Sequence, residues 1–463
     1  MQAPTGEPRA DPELADRPPV SGPPRRRPLT GGAAMSATSR IAVTALGAAT
    51  TILIARLLGP SGSGTYFVAQ SLLAVLLVAT TLGVEHGITY FVSSRRWPPR
   101  AAYMSSLRMA LVMGAIGAVL GLGARLVVPS AFAGMSVWLT AALVGSLFFA
   151  LVTYYARFVA VAIDRYEAYV LPPPAQAAVA LACTVPAALL FGVEGAVLSS
   201  IFAVVLMGVA MMIWAHRQLA PSAPAEHGQL RRAISFGVKG YAANAIQLIN
   251  YRLDLFILAS VASTAVVGRY AIAVAATSLL SLLPSALSDV VFPRVASLST
   301  AGEDAELEMV ETKSVRHAVL IVVTSALGLV VALELLVVPV FGEAFQGSID
   351  LGLILIPGAA AIGLAVVLAA TVVGRGKPIY QLYVVLAVTP VTILLYATLI
   401  PSHGATGAAL ASTVSYLLSF VLECVVYKRV TGRRVLALLI PSRSELDDLL
   451  GLGRALRARV IGR

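Results

Sequence analysis

Inside the apolar stretches of this chain stand a few charged and amide side chains, and these are the groups with chemistry to offer. Lys239, Asn244, Gln247, Asn250, Tyr251 and Asp254 share an arc of roughly 140° when wound at about 100° per residue, with Arg252 roughly 80° beyond it. Polar groups in apolar surroundings are costly, so they face a bundle interior or a water-filled path. A carboxylate such as Asp254 that changes protonation or binds a cation can bias two orientations of the helices around it. Glu85, Asp289 and Glu334 are further candidates for ion coupling or gating. Arg56 and Arg252 keep their charge and present a fork of donors matched to phosphate, which suits an anionic head group. The plainer alternatives are snorkelling to head groups for Arg56 and an ion pair for Arg252. Glu334 pairing with either arginine would make a gate.

Two more stretches carry a stripe of this kind. Tyr66, Gln70, Thr81, Glu85 and Thr89 fall on one helical face, and Tyr270, Ser281, Ser285, Ser288 and Asp289 on another. Such stripes read either as walls of a central hydrophilic cavity or, for the hydroxyls in particular, as hydrogen bonds between helices.

The elements that must position these groups are membrane spans. Of 463 residues, 58% are hydrophobic and 12% charged, with a mean hydropathy of +0.85; each bilayer crossing takes roughly 20 apolar residues. Spans are expected near 38-58, 65-92, 103-127, 135-163, 168-191, 195-217, 234-260, 264-293, 314-341, 350-374, 378-400 and 404-428, about twelve in all. Alternate connections hold Arg95, Arg96 and Arg100, then Arg165, then Arg217, Arg231 and Arg232, then Arg294, Lys313 and Arg316, then Arg375 and Lys377, then Lys428, Arg429, Arg433 and Arg434. The other connections offer only Arg56, Arg125 and Arg269. That bias predicts both termini on the cytoplasmic side. The net charge of +11 thus describes a cytoplasmic skirt facing anionic lipid rather than a nucleic-acid surface.

The sequence also repeats. At an offset of 204, Gly64, Tyr66, Thr81 and Glu85 fall on Gly268, Tyr270, Ser285 and Asp289. At 212, Gly192, Gly195, Ala196 and Leu198 fall on Gly404, Gly407, Ala408 and Leu410. The expected fold is therefore an all-α membrane protein of two parallel repeats of about six helices around a central cavity. Its parts are a disordered Pro-rich arm at 1-37, a first lobe at 38-217, a cytoplasmic linker at 218-233, a second lobe at 234-428 and a basic amphipathic tail at 429-463. Met35 is an alternative start. Cys183 and Cys424 both lie inside spans, so no disulfide framework or metal cluster is expected, and no phosphate-binding glycine loop is present.

Ala55-Arg56-Leu57-Leu58-Gly59-Pro60 with Gly64-Thr65-Tyr66 resembles the first-loop pattern of the polysaccharide and oligosaccharide exporters, the Wzx-like branch of the MOP superfamily. Tyr251-Arg252-Leu253-Asp254, Gly268-Arg269-Tyr270-Ala271 and Pro284-Ser285-Ala286-Leu287 resemble it too, and so do the two glycine segments at 192-198 and 404-410. The resemblance spans nearly all of 38-430. It implies a flippase without catalytic residues or cofactors, which moves a polyprenyl-pyrophosphate-linked saccharide outward across the cytoplasmic membrane. Polysaccharide polymerase and glycosyltransferases would be its partners. A multidrug exporter of the same superfamily is the alternative, weakened because residues 38-58 hold no acidic side chain. A membrane polymerase or glycosyltransferase fits less well, since its chemistry wants carboxylates or cations gathered in substantial outer loops, whereas the outer connections here are short.

Overall fold

The computed structural model describes residues 29–222, 228–433 and 435, and every regular element among them is helical. The helices are α1 (Leu29–Thr81), α2 (Val84–Ser93), α3 (Pro99–Val127), α4 (Val137–Gly145), α5 (Leu147–Ala162), α6 (Tyr166–Val170) and α7 (Pro172–Gln218) in the first half. The second half has α8 (Gln229–Val261), α9 (Thr264–Ser278), α10 (Leu282–Ala301), α11 (Asp304–Phe341), α12 (Gly347–Gly374) and α13 (Ile379–Thr431). Residues 29–37, expected to belong to a disordered arm, already form the start of α1. The rest of that arm at 1-28, residues 223-227 of the linker, and the tail beyond 433 apart from Val435 lie outside the described residues.

Among the described residues, eight stretches are long and apolar enough to cross a membrane. Helix α8 is not among them, because its amides and charges dilute an otherwise apolar surface. Three of the eight are too long to be single spans: α7 runs 47 residues, and α1 and α13 run 53 each, about 80 Å if straight against a hydrocarbon core of about 30 Å. Each is broken at one glycine with left-handed backbone. Gly192 (φ 59°, ψ −138°) and Gly404 (φ 56°, ψ −132°) have almost the same torsions, a conformation that carries no penalty in glycine. Side chains show that the limbs double back. Thr184 Oγ1 lies 2.9 Å from Ser199 Oγ, and Tyr396 OH lies 3.0 Å from Ser412 Oγ, although such pairs would stand more than about 20 Å apart on a straight helix. The turn expected from sequence over residues 59–64 is compressed into Gly59 alone (φ 62°, ψ −170°), and Pro60 already starts the next limb of α1.

The two halves meet on their pseudo-two-fold axis. A Cβ on Gly64 would lie 2.1 Å from the Thr264 carbonyl oxygen, and one on Gly268 would lie 2.0 Å from that of Pro60. The contact is reciprocal, each glycine facing the carbonyl four residues before its counterpart. A large buried cluster, from Ile54 and Leu143 in the first half to Tyr396 and Ala411 in the second, packs the halves together.

Candidate functional site

Asp254, 2% exposed, is held by groups from three helices of the second half. Tyr270 on α9 donates to Oδ2 at 2.5 Å, Ser412 on α13 donates to the same oxygen at 3.4 Å, and the Leu255 amide donates to Oδ1 at 2.7 Å. Tyr270 OH is also 3.2 Å from Ser412 Oγ. One turn back, Asn250 donates to Thr389 Oγ1 at 2.6 Å. A further turn back, Gln247 donates to Tyr251 OH at 2.8 Å. Beside them opens a cleft of about 320 Å³, partly continuous with the exterior, whose lining includes Asn250, Tyr251, Tyr396, Ser415 and Tyr416. The inner members of the α8 stripe thus turn into their own half. Asn244 and Arg252 are exposed, and the side chain of Lys239 lies outside the described residues.

In the first half, Gln70 donates to Ser200 Oγ at 2.8 Å, joining α1 to α7. Arg56 does not stand free for a phosphate in this conformation. Its Nε donates to the Val340 carbonyl at 2.7 Å and its Nη2 to that of Pro339. These are orphan acceptors at the C-terminus of α11, where a cation is favoured. Arg56 therefore straps α1 to the opposite half beside the Gly64 and Gly268 crossing. Glu334 is exposed on α11 and, among the described residues, pairs with neither Arg56 nor Arg252.

The repeat-related carboxylates Glu85 and Asp289 have different surroundings. Glu85, 1% exposed, accepts from Tyr154 OH at 3.2 Å, while its other oxygen is buried without a hydrogen-bond partner among the described residues. It sits at a tight seam between α2 and α8, where a Cβ on Gly237 would lie 1.8 Å from the Gly83 carbonyl oxygen. Thr81 donates to Tyr241 OH at 2.7 Å there, and Tyr90 stacks on Phe236 with ring centroids 4.9 Å apart. The repeat-related seam, between α1 and α10, is sparsely packed. It is crossed by an ion pair between Arg40 and Asp289 at 2.7 Å, with 67% and 58% of the side chains exposed. Among the described residues, one seam is zipped and its counterpart is nearly open.

Sequence reasoning did not single out Ser412 and Tyr396, which belong to the polar stretch below the second glycine break, nor Tyr154, which meets Glu85 from another helix of the first half, nor Tyr241, whose partner Thr81 lies across the halves. Glu423 also went unread, although a carboxylate between Leu422 and Cys424 in an apolar stretch was a usable signal.

A family profile described as polysaccharide biosynthesis protein matches residues 52–350. No curated protein matches the chain. Among solved structures, an inward-facing multidrug resistance MATE family transporter of the MOP superfamily superposes with a TM-score of 0.66 at 14% identity, over 87% of this chain and 99% of that one. The lipid II flippase MurJ in an inward closed conformation gives 0.63 at 12%, over 94% and 100%. A MOP superfamily transporter from Pyrococcus furiosus gives 0.56 at 14%, over 87% and 95%. At these identities the likeness is one of fold.

Proposed function

The chain belongs to the polysaccharide biosynthesis protein family, and from that premise we propose that it is a flippase moving a polyprenyl-pyrophosphate-linked oligosaccharide across the cytoplasmic membrane for surface polysaccharide. It is a membrane protein with the fold of the MOP transporters. The observation that carries the reading is the unequal pair of inner seams. A lipid-linked substrate must bring its sugar head into a wet interior while its tail stays in hydrocarbon. A sparsely packed seam between α1 and α10, opposite a zipped seam between α2 and α8, suits that division.

In this scheme the helices make twelve crossings in two lobes, 38-217 and 234-428, with both termini cytoplasmic, as the basic connections imply. The crossing at Gly64 and Gly268, with the Arg56 strap, closes the outer end, so the conformation faces inward. Rocking of the lobes breaks that closure and frees the Arg56 guanidinium at the outer mouth, where an anionic head group would emerge. Asp254 is the coupling group, its charge biasing the two orientations. Anionic lipids face the basic skirt, and glycosyltransferases and a polymerase act before and after.

Depletion of the protein in cells tests the function. Surface polysaccharide should fall while lipid-linked oligosaccharide accumulates, measured by extraction and chromatography. Normal surface polysaccharide with no accumulated lipid-linked precursor would refute it.

A further inference from the structure

A second buried carboxylate lies in the same half as Asp254, and the scheme above does not use it. Glu423, on the second limb of α13, is 4% exposed. Gln381 on the first limb donates to its Oε2 at 3.3 Å. One long hydrogen bond contributes little to holding two limbs together, so the carboxyl calls for another account.

Oxygen atoms run from one carboxylate toward the other. Ser412, which donates to Asp254, lies 3.0 Å from Tyr396 OH. Tyr396 lines the cleft with Ser415 and Ser419. Ser415 Oγ is buried with no hydrogen-bond partner among the described residues, whereas Ser419 donates to the Ser415 carbonyl at 3.0 Å. Ser415, Ser419 and Glu423 are four residues apart and share one face. The walls of the cleft are mostly apolar, but Gln247, Asn250, Tyr396, Ser415 and Ser419 line it, and these supply the polar partners that an ordered water needs.

The fold does not require these oxygens. The first half builds the same hairpin, and at the offset of 212 its residues facing this position are Ala203, Met207 and Met211, all buried. At the offset of 204 the counterpart of Asp254 is Thr50, whose hydroxyl is spent on the Leu46 carbonyl. Tyr396 and Ser412 have hydroxyl counterparts in Thr184 and Ser200, but the stretch from Ser415 to Glu423 carries oxygen in the second half alone.

We propose that Glu423, Ser419, Ser415, Tyr396 and Ser412 form a proton path between Asp254 and the end of the second half that bears Lys377 and Lys428. A proton from solvent forms an O–H on the Glu423 carboxylate. It then passes along hydroxyls and water, each O–H breaking as the next forms, until the Asp254 carboxylate is protonated and Glu423 is a carboxylate again. The inference rests on Asp254 being the coupling group and makes the coupling ion a proton. The ionisable groups around Asp254 are Tyr270, Tyr396, Tyr416 and Arg252. Beyond Glu423 stand Cys424 and Tyr427, then the Glu311 and Arg375 pair.

Time-resolved infrared spectroscopy after a pH jump, on the full chain in liposomes, tests the path. The Asp254 carboxyl band is identified by its loss in Asp254→Asn, and no saccharide is needed. Glu423→Gln and Ser415→Val should each slow protonation of Asp254 about a hundredfold, the low end of what a positioned proton carrier contributes, leave the band position unchanged, and Glu423→Asp should restore the rate. Unchanged rates in both variants would overturn the path, as would a shifted Asp254 band, which would mark Glu423 as structural. If Glu423→Gln fails to accumulate, Ser415→Val and Ser419→Ala decide by the same readout. Failure here leaves the flippase reading intact, since that reading is tested by surface polysaccharide alone.

Discussion

Replacing Gly268 by alanine is the sharpest test of the axis crossing. The new Cβ would stand 2.0 Å from the Pro60 oxygen and 3.0 Å from the Gly64 amide nitrogen, and both obstacles are backbone, so neither can rotate away. Ordinary contact begins near 3.4 Å, so the helices must part by on the order of 1 Å where they cross. Overpacking of this kind costs about 1–3 kcal/mol. If the crossing exists only in the inward-facing state, the same figure disfavours that state alone and shifts the balance of orientations about 5- to 150-fold. The assay is labelling of a single cysteine at Ser61 by an impermeant maleimide, in a background lacking Cys183 and Cys424. Gly268→Ala should label faster than the parent, and Gly64→Ala likewise, because the contact is reciprocal. Gly47→Ala, with nothing within 4 Å of its Cβ, is the control. Equal labelling rates in a folded Gly268→Ala protein would show that the crossing does not hold the outer end shut.

Other outcomes follow from the same contacts. Arg56→Ala should also raise outer labelling, since it leaves the α11 carbonyls uncapped, and no change would show that the strap is passive. In proteoliposomes, Asp254→Asn should abolish the response of lipid-linked substrate translocation to an imposed proton or sodium gradient while the protein still inserts; a retained response would remove Asp254 from coupling. Glu311→Ala breaks a bidentate pair with Arg375, bonds of 2.5 and 2.8 Å, in which the carboxylate is fully buried and the guanidinium 23% exposed. Because Arg375 is partly hydrated, the loss belongs near the lower end of the usual 3–5 kcal/mol for such a break, readable as a lower Tm in detergent. Ser94, in a connection rich in arginine, should resist impermeant label from outside, and labelling there would invert the proposed topology.

What the sequence made legible follows from what each signal depends on. Span length and basic connections are local, so the all-helical membrane fold could be read directly. The repeat could be read from glycines, because Gly64, Gly192 and their counterparts sit where no other residue fits. The polar stripe of α8 was legible as a stripe, but not the direction of its inner members. Asp254 and Asn250 turn toward Tyr270 and Thr389, whose positions depend on how α9 and α13 pack. Arg56 was read by its chemistry, and its partners are backbone carbonyls that carry no mark in the sequence. The difference between Glu85 and Asp289 is likewise invisible locally, since it comes from Gly237 meeting Gly83 across 154 positions of chain.

The polarity of α8 also bears on how the protein is made. A segment enters the bilayer from the insertion machinery by its own hydropathy, and α8 falls below the apolar threshold that its neighbours meet. It needs company to leave the aqueous channel, and the first half offers it: Gly83 and Gly87 to lie against, Thr81 for the hydroxyl of Tyr241, and Tyr90 for Phe236. Synthesis from the N-terminus puts that receiving surface in the membrane before α8 emerges. The seam would then serve α8 as a docking surface during insertion, and a second half translated alone is expected to insert α8 less completely than the full chain does.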